Sequence, residues 1–238
     1  MKLDQSEQRI RDIYRDLRDV YGEPEDLGDR EGLRQLLITI LSQNVADENT
    51  SRAAEALYRK YTDYSSMENA DIEELADVIN PAGLPETKAK RIQRTLKTVR
   101  EESGEYSTAF LSKWDDQEAQ KWLEDIKGIG PKTASILMNF QFDADVMPVD
   151  THVERISKRF RLVPFSASNQ RAHEILNEIV PREIKTPLHM LMIDHGKNNC
   201  TARNPTCEET KLKKYCSRYE LVENGDLNPE EYPPEEME

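Results

Sequence analysis

Long apolar runs are missing from this 238-residue chain. No stretch approaches the ~18 consecutive apolar residues that a membrane-spanning helix needs, so a soluble protein without a membrane partner is expected. The opening MKLDQSEQRIRDIYRDL carries charge where a secretory leader needs an apolar core, so no leader is expected. Cysteine is scarce. Three residues, Cys200, Cys207 and Cys216, crowd into one stretch. They make no disulfide framework, and a cytoplasmic, nucleoid-associated location is expected. Strand-like alternation is absent as well, which points to an all-α class. Positive charge is in deficit, with 33 Lys and Arg against 46 Asp and Glu and a net charge of −13. A nucleic-acid binder usually shows the opposite balance. Two features weaken that objection. The stretch after Cys216 is strongly acidic, and without it about half the net charge remains. Local basic clusters also persist, at Lys88, Lys90, Arg91 and Arg94 and at Arg155, Lys158, Arg159 and Arg161.

What is present is helical periodicity, enough to bury one core or two small ones. Residues 4–21 place Ile10, Ile13, Leu17 and Val20/Tyr21 on one face. Leu33–Leu41 is the most apolar run and predicts a buried helix. Further helices are predicted over Thr50–Tyr61, capped by Asp47 or Asn49, over Asn69–Ile79, started by Asn69 or Asp71, and over Thr87–Glu102. Phe110–Trp114 and Asp116–Ile126 follow, then Lys132–Gln141, Thr151–Arg161, Ser168–Ile179 and Thr186–Gly196.

The stretch LEDIKGIGPKTASILMNF, from Leu123 to Phe140, organises the rest. A helix meets the turn Lys127-Gly128-Ile129-Gly130, and a second helix opens at Pro131. Glycine removes the Cβ penalty where backbone turns sharply or approaches another group. Proline suits the first helical position because its missing N–H would be unpaired there. Lys132 then falls at the positive end of a helix dipole, a place that disfavours an ammonium. Backbone N–H groups at such a turn suit a phosphate. A dinucleotide fingerprint would need a preceding strand, and the preceding residues are helical and polar. Helix, glycine turn, helix is the layout of a helix-hairpin-helix, which grips DNA backbone and carries no sequence information. Asp150 in Val149-Asp150-Thr151-His152 reads on its own as a helix N-cap.

KGIGPKTA followed by VDTHVERISKR resembles the helix-hairpin-helix and catalytic-aspartate segments of the endonuclease III family of DNA glycosylases and AP lyases. The resemblance covers roughly Leu33 to Cys216. It implies two helical lobes around a DNA-binding cleft. One lobe is a six-helix body over residues 30–143 with the hairpin. The other is discontinuous, residues 1–29 with 144–220, and 221–238 form an acidic, flexible tail. It implies Lys132 as the nucleophile and Asp150 as the carboxylate supporting it. It implies DNA contacts from Gly128, Ile129, Gly130 and Thr133 of the hairpin. LSQNVAD resembles the segment beside the gap left by an extruded nucleotide, which adds Gln43 and Asn44, with Asn44 in the place of the usual glutamine. Gly83-Leu84 and Lys88 resemble G-L-x-x-x-K-A, making Leu84 a candidate wedge and Lys88 a DNA contact. The implied substrate is double-stranded DNA with an oxidised pyrimidine or an abasic site, and a monomer is expected. A relative acting on mismatched or alkylated bases, or a non-catalytic DNA-binding module, is the alternative.

The family's C-x6-C-x2-C-x5-C pattern binds a [4Fe–4S] cluster. Cys200, Cys207 and Cys216 match three positions and Thr210 stands at the remaining one, a poor iron ligand beside thiolates. A loop folded without metal, a cluster completed by another ligand, and a three-iron cluster all remain open on the sequence. Without a cluster, Arg203, Lys211, Lys213 and Lys214 could present a basic, DNA-facing loop.

Overall fold

The computed structural model describes residues 3–24, 32–203, 205–206 and 209–218. Cys207 and the acidic tail lie outside the described residues. Eleven α-helices and no strand are found among the described residues, so the all-α expectation holds. Contacts divide the chain into two compact units. One joins Met1–Asp26 to Asp145–Glu238, and the other is Leu27–Ala144.

The continuous unit carries α2 (Gly32–Ser42), α3 (Asp47–Lys60), α4 (Tyr64–Glu68), α5 (Ile72–Val78), α6 (Pro85–Ser103), α7 (Asp116–Asp125) and α8 (Pro131–Phe142). Helix α2 is apolar on most sides because it is central. It contacts α3, α6 and α8, and Leu33, Leu36, Leu37, Ile40 and Leu41 are fully buried. Each such leucine contributes roughly 1.5–3 kcal/mol by leaving water. Helix α6 buries Lys88, Ala89, Ile92, Thr95, Leu96 and Val99 on one stripe. It ends at Gly104, whose φ of 80° is the left-handed C-cap that glycine favours. Asp71 starts α5 by accepting from Glu73 N and Glu74 N. Helix α3 starts earlier than expected, at Asp47, and its N-cap is Ala46, with no side-chain cap. Acidic Asp47 and Glu48 in the first turn favour that end through the helix dipole instead.

The discontinuous unit carries α1 (Glu7–Tyr21), α9 (Thr151–Arg159), α10 (Asn169–Ile179) and α11 (Arg182–Asn198). Ile10, Ile13 and Leu17 join Val153, Ile156, Phe160, Leu176, Leu188 and Leu191 in one core. Helix α11 contacts α1 and α9. It begins at Arg182, four residues before the expected start, and takes Pro187 into its sixth position. Close approach of α11 to α9 requires Gly196, where a Cβ would lie 2.5 Å from His152 Nδ1.

Candidate active site

The hairpin is built as the sequence suggests, but its two glycines do different work. Helix α7 ends at Asp125, and Ile129 N donates to Ile126 O at 2.9 Å to close the turn. Gly128 has a φ of 105°, and a Cβ there would lie 2.7 Å from Arg91 Cγ and Cδ. Gly130 is extended, with a φ of −101°, and a Cβ there would meet nothing within 4 Å. It is the N-cap of α8 and makes no side-chain hydrogen bond to the first-turn N–H groups. Ile129 is buried and anchors the turn. Lys132, in the first turn of α8, is exposed.

Asp150 lies in the other unit, at the N-terminus of α9. Its Oδ1 accepts from His152 N at 2.9 Å and from Val153 N at 2.8 Å, so the N-cap reading is correct, and the residue is 8% exposed. Arg155 Nη2 sits 3.0 Å from His152 Nδ1 and 3.1 Å from Gly196 O. A guanidinium has no acceptor, so Nδ1 is the accepting atom.

Leu84 is 65% exposed with a φ of 48°, and it precedes Pro85 at the start of α6. A leucine that is both exposed and left-handed carries strain of order 1–2 kcal/mol. Strain persisting at one position motivates a functional reading of it. Asn44 is likewise exposed and left-handed, with a φ of 59°, a conformation asparagine tolerates.

Three expected DNA contacts turn inward instead. Lys88 is 1% exposed, and its Nζ donates to Leu41 O at 2.7 Å, Gln43 O at 2.8 Å and Ala82 O at 2.7 Å. Its three donors are used, so it cannot be a phosphate contact. Burial pushes its pKa down to about 8, with the charge of Arg91 adding to the effect. Gln43 accepts from Arg91 Nη1 at its Oε1 and donates through Nε2 to Gly128 O at 3.2 Å and Thr133 Oγ1 at 3.4 Å. Thr133 is buried, and its hydroxyl faces Gln43 rather than solvent. The Lys88–Gln43–Arg91 connection is the part sequence reasoning missed. One signal was available: Lys88 lies four residues before Ile92 and eight before Leu96, on the apolar stripe.

The second basic cluster is also largely internal. Arg155 Nε donates to Cys200 O at 2.9 Å. Buried Arg159 reaches Cys200 Sγ at 3.1 Å, Thr201 O at 2.8 Å and Ala202 O at 3.0 Å. Lys158 pairs with Glu154 at 2.7 Å. Lys211 and Lys214 reach Asp16 at 3.0 and 2.7 Å, and Tyr215 OH donates to Asp16 at 2.6 Å. These two lysines therefore hold the C-terminal segment to α1. Burial works against the Asp16 carboxylate, yet the bonds from Lys214, Tyr215 and Lys211 hold its carboxyl well below the usual range. Burial and Asp16 together push the Tyr215 hydroxyl up.

A [4Fe–4S] cluster takes four thiolates, and the chain has three cysteines in all. Cys200 and Cys216 are buried. Thr210 accepts from Leu212 N at 3.3 Å and starts the 3-10 turn Lys211–Tyr215, so its oxygen serves as a cap. No group of three or more His, Cys, Asp or Glu that could hold a metal ion is found among the described residues. The donor set does not fit a four-thiolate cluster.

A profile of the HhH-GPD superfamily base excision DNA repair protein matches residues 37–182. Endonuclease III of Thermotoga maritima is 30% identical over 204 residues, covering 86% of this chain and 91% of that protein. A non-covalent endonuclease III–DNA complex superposes with a TM-score of 0.79 at 26% identity, over 92% of this chain and 99% of that one. A trapped endonuclease III–DNA covalent intermediate gives 0.78 at 25%, with the same coverage. The hairpin, the capped aspartate and these similarities converge, and the chain belongs to the endonuclease III family within the HhH-GPD superfamily of base excision DNA repair proteins.

Proposed function

We propose that this base-excision DNA glycosylase and AP lyase uses Lys132 as its nucleophile and Asp150 as the carboxylate that supports the developing charge, on duplex DNA holding an oxidised pyrimidine or an abasic site. The observation that carries this reading is Lys132 itself, an exposed amine on the first turn of α8 directly after the bare hairpin cap. The damaged nucleotide leaves the stack before it reacts. The Lys132 amine, in its neutral form, donates its lone pair to C1′. The C1′–N bond to the base breaks, and its electron pair leaves with the base, which is protonated. Oxocarbenium character at the sugar is stabilised by a fixed negative charge. Two main-chain N–H bonds hold the Asp150 carboxylate in one orientation for that role. The amine then loses a proton, the sugar ring opens and a Schiff base forms. Removal of a C2′ proton expels the 3′ phosphate and nicks the strand. That a related endonuclease III was trapped as a covalent DNA intermediate supports a covalent route.

Leu84 serves as the wedge and Asn44 faces the vacated space, with hairpin backbone groups on phosphate. The site operates on DNA in the cytoplasm, and the chain acts as a monomer. The test is a panel of duplexes carrying one thymine glycol, one abasic site, one G·T mismatch or one 3-methyladenine. Release of thymine glycol and β-elimination products at the abasic site are expected. Excision confined to the mismatch or the alkylated base would overturn the substrate assignment.

A further inference from the structure

An ammonium buried without a carboxylate needs a reason, because desolvating it carries a cost that an apolar side chain of similar volume avoids. The three carbonyls on Lys88 supply one. Leu41 O and Gln43 O belong to the end of α2 and the turn after it, which leads into Asn44. Ala82 O ends the 3-10 turn Asn80–Ala82, which leads through Gly83 to Leu84. Lys88 N also donates to Leu84 O at 3.0 Å, so one residue grips the Leu84 turn on both sides. The two turns lie close together, since a Cβ on Gly83 would be 3.8 Å from Val45 Cγ2. Both carry an exposed residue in the left-handed region, Asn44 and Leu84. Arg91 extends the chain of bonds through the Gln43 amide to Gly128 and Thr133 of the hairpin.

We infer that Lys88 is a positioning residue for lesion recognition, clamping the Leu84 turn to the Gln43–Asn44 turn so that wedge and gap-facing residue engage DNA as one body. The inference rests on the reading above that Leu84 enters the duplex. Inserting an apolar side chain between base steps is opposed by stacking. A wedge on a loose turn would yield to that opposition. A wedge whose turn Lys88 ties, through Ala82 O on one side and Leu41 O and Gln43 O on the other, transmits it to α2 and α6.

The test uses a duplex with a tetrahydrofuran abasic analogue, which cannot form a Schiff base, and 2-aminopurine opposite the analogue. Affinity for this duplex is measured against an undamaged one for the wild type, Leu84→Ala, Lys88→Met and the double variant. Concentrations are scaled to the folded fraction by circular dichroism. Each single variant is expected to lower the preference for the lesion duplex about tenfold and to reduce the 2-aminopurine response, with little further loss in the double variant. A purely structural role for Lys88 would leave the preference of folded molecules unchanged, or add its loss to that of Leu84→Ala, and either result overturns the inference. If Leu84→Ala itself leaves the preference intact, the wedge reading fails. If only Lys88→Met leaves it intact, the clamp alone fails.

Should Lys88→Met not fold, the wild type is titrated from pH 7 to 9.5. The Lys88 ammonium, with a pKa near 8, then loses one of its three donors. The groups facing it are three backbone carbonyls and the Arg91 guanidinium. A folded pKa below the unfolded one makes this group's own contribution to stability rise with pH, and circular dichroism at each pH follows the folded fraction. The preference is expected to fall in the wild type and to stay flat in Leu84→Ala; a flat wild-type profile overturns the inference.

Discussion

Replacing Gly128 by alanine separates the two glycines of the hairpin. At φ of 105° an L side chain is strained, by about 1–2 kcal/mol. The new Cβ would also lie 2.7 Å from Arg91 Cγ and Cδ, so that side chain has to move and release the Gln43 amide. A hydrogen bond from a charged donor is worth roughly 1.5–3 kcal/mol, and half-exposure of the pair brings this nearer 1. Alanine restricts the unfolded chain and returns about 0.4–1 kcal/mol. The net expectation is a loss of ~2 kcal/mol, a fall in Tm of about 4–8 °C for a chain of this size. Gly130→Ala is the control, because its φ of −101° and open surroundings admit a methyl group. Its stability should change by less than ~1 kcal/mol, while affinity for duplex DNA falls because the methyl stands on the bare cap. Thermal melts followed at 222 nm and fluorescence anisotropy with a labelled duplex read both quantities. Equal Tm losses in the two variants, or a Tm within 1 °C of wild type for Gly128→Ala, would refute the reasoning.

Asp16→Asn should cost ~2–3 kcal/mol at neutral pH, because it strips the charge from a carboxylate that is 4% exposed and leaves Lys211 and Lys214 without their shared partner. The folded carboxyl titrates below its unfolded value, so its contribution is complete above about pH 4 and declines as pH falls further. The gap between wild type and variant in urea melts should therefore narrow below pH 4; a constant gap would contradict the ion-pair account. Thr210→Cys supplies the missing fourth thiolate position. Iron and acid-labile sulfide in anaerobically prepared protein should rise from well under one to about four per chain, with a visible absorption band near 400 nm. A wild type already carrying four irons would show that the loop finds another ligand.

Much of the helical layout was legible because its punctuation is local. Asp71 and Asp150 each accept main-chain N–H bonds where the sequence placed a helix start or cap. Helix α4 was not legible, since five residues are too few to show a period. Pro187 hid the first turn of α11, because a proline reads as a helix start and here is the sixth residue. The basic stretches misled for a related reason. Charge counting places Lys88, Arg91, Arg155 and Arg159 on a surface, whereas backbone carbonyls and a glutamine amide draw them inward. Main-chain acceptors leave no mark in composition, so only the position of Lys88 on the apolar stripe of α6 betrays its burial. Leu84 and Asn44 could be singled out by motif, but their left-handed backbone appears only in the structure.

The most direct test of the catalytic assignment is borohydride trapping on a duplex with a single abasic site. Wild-type protein should give a covalent adduct, seen as a band of retarded mobility. Lys132→Ala should give none while binding the tetrahydrofuran duplex within about threefold of wild type, as expected for removing one exposed side chain. An adduct of undiminished yield from Lys132→Ala would place the nucleophile elsewhere and contradict the account.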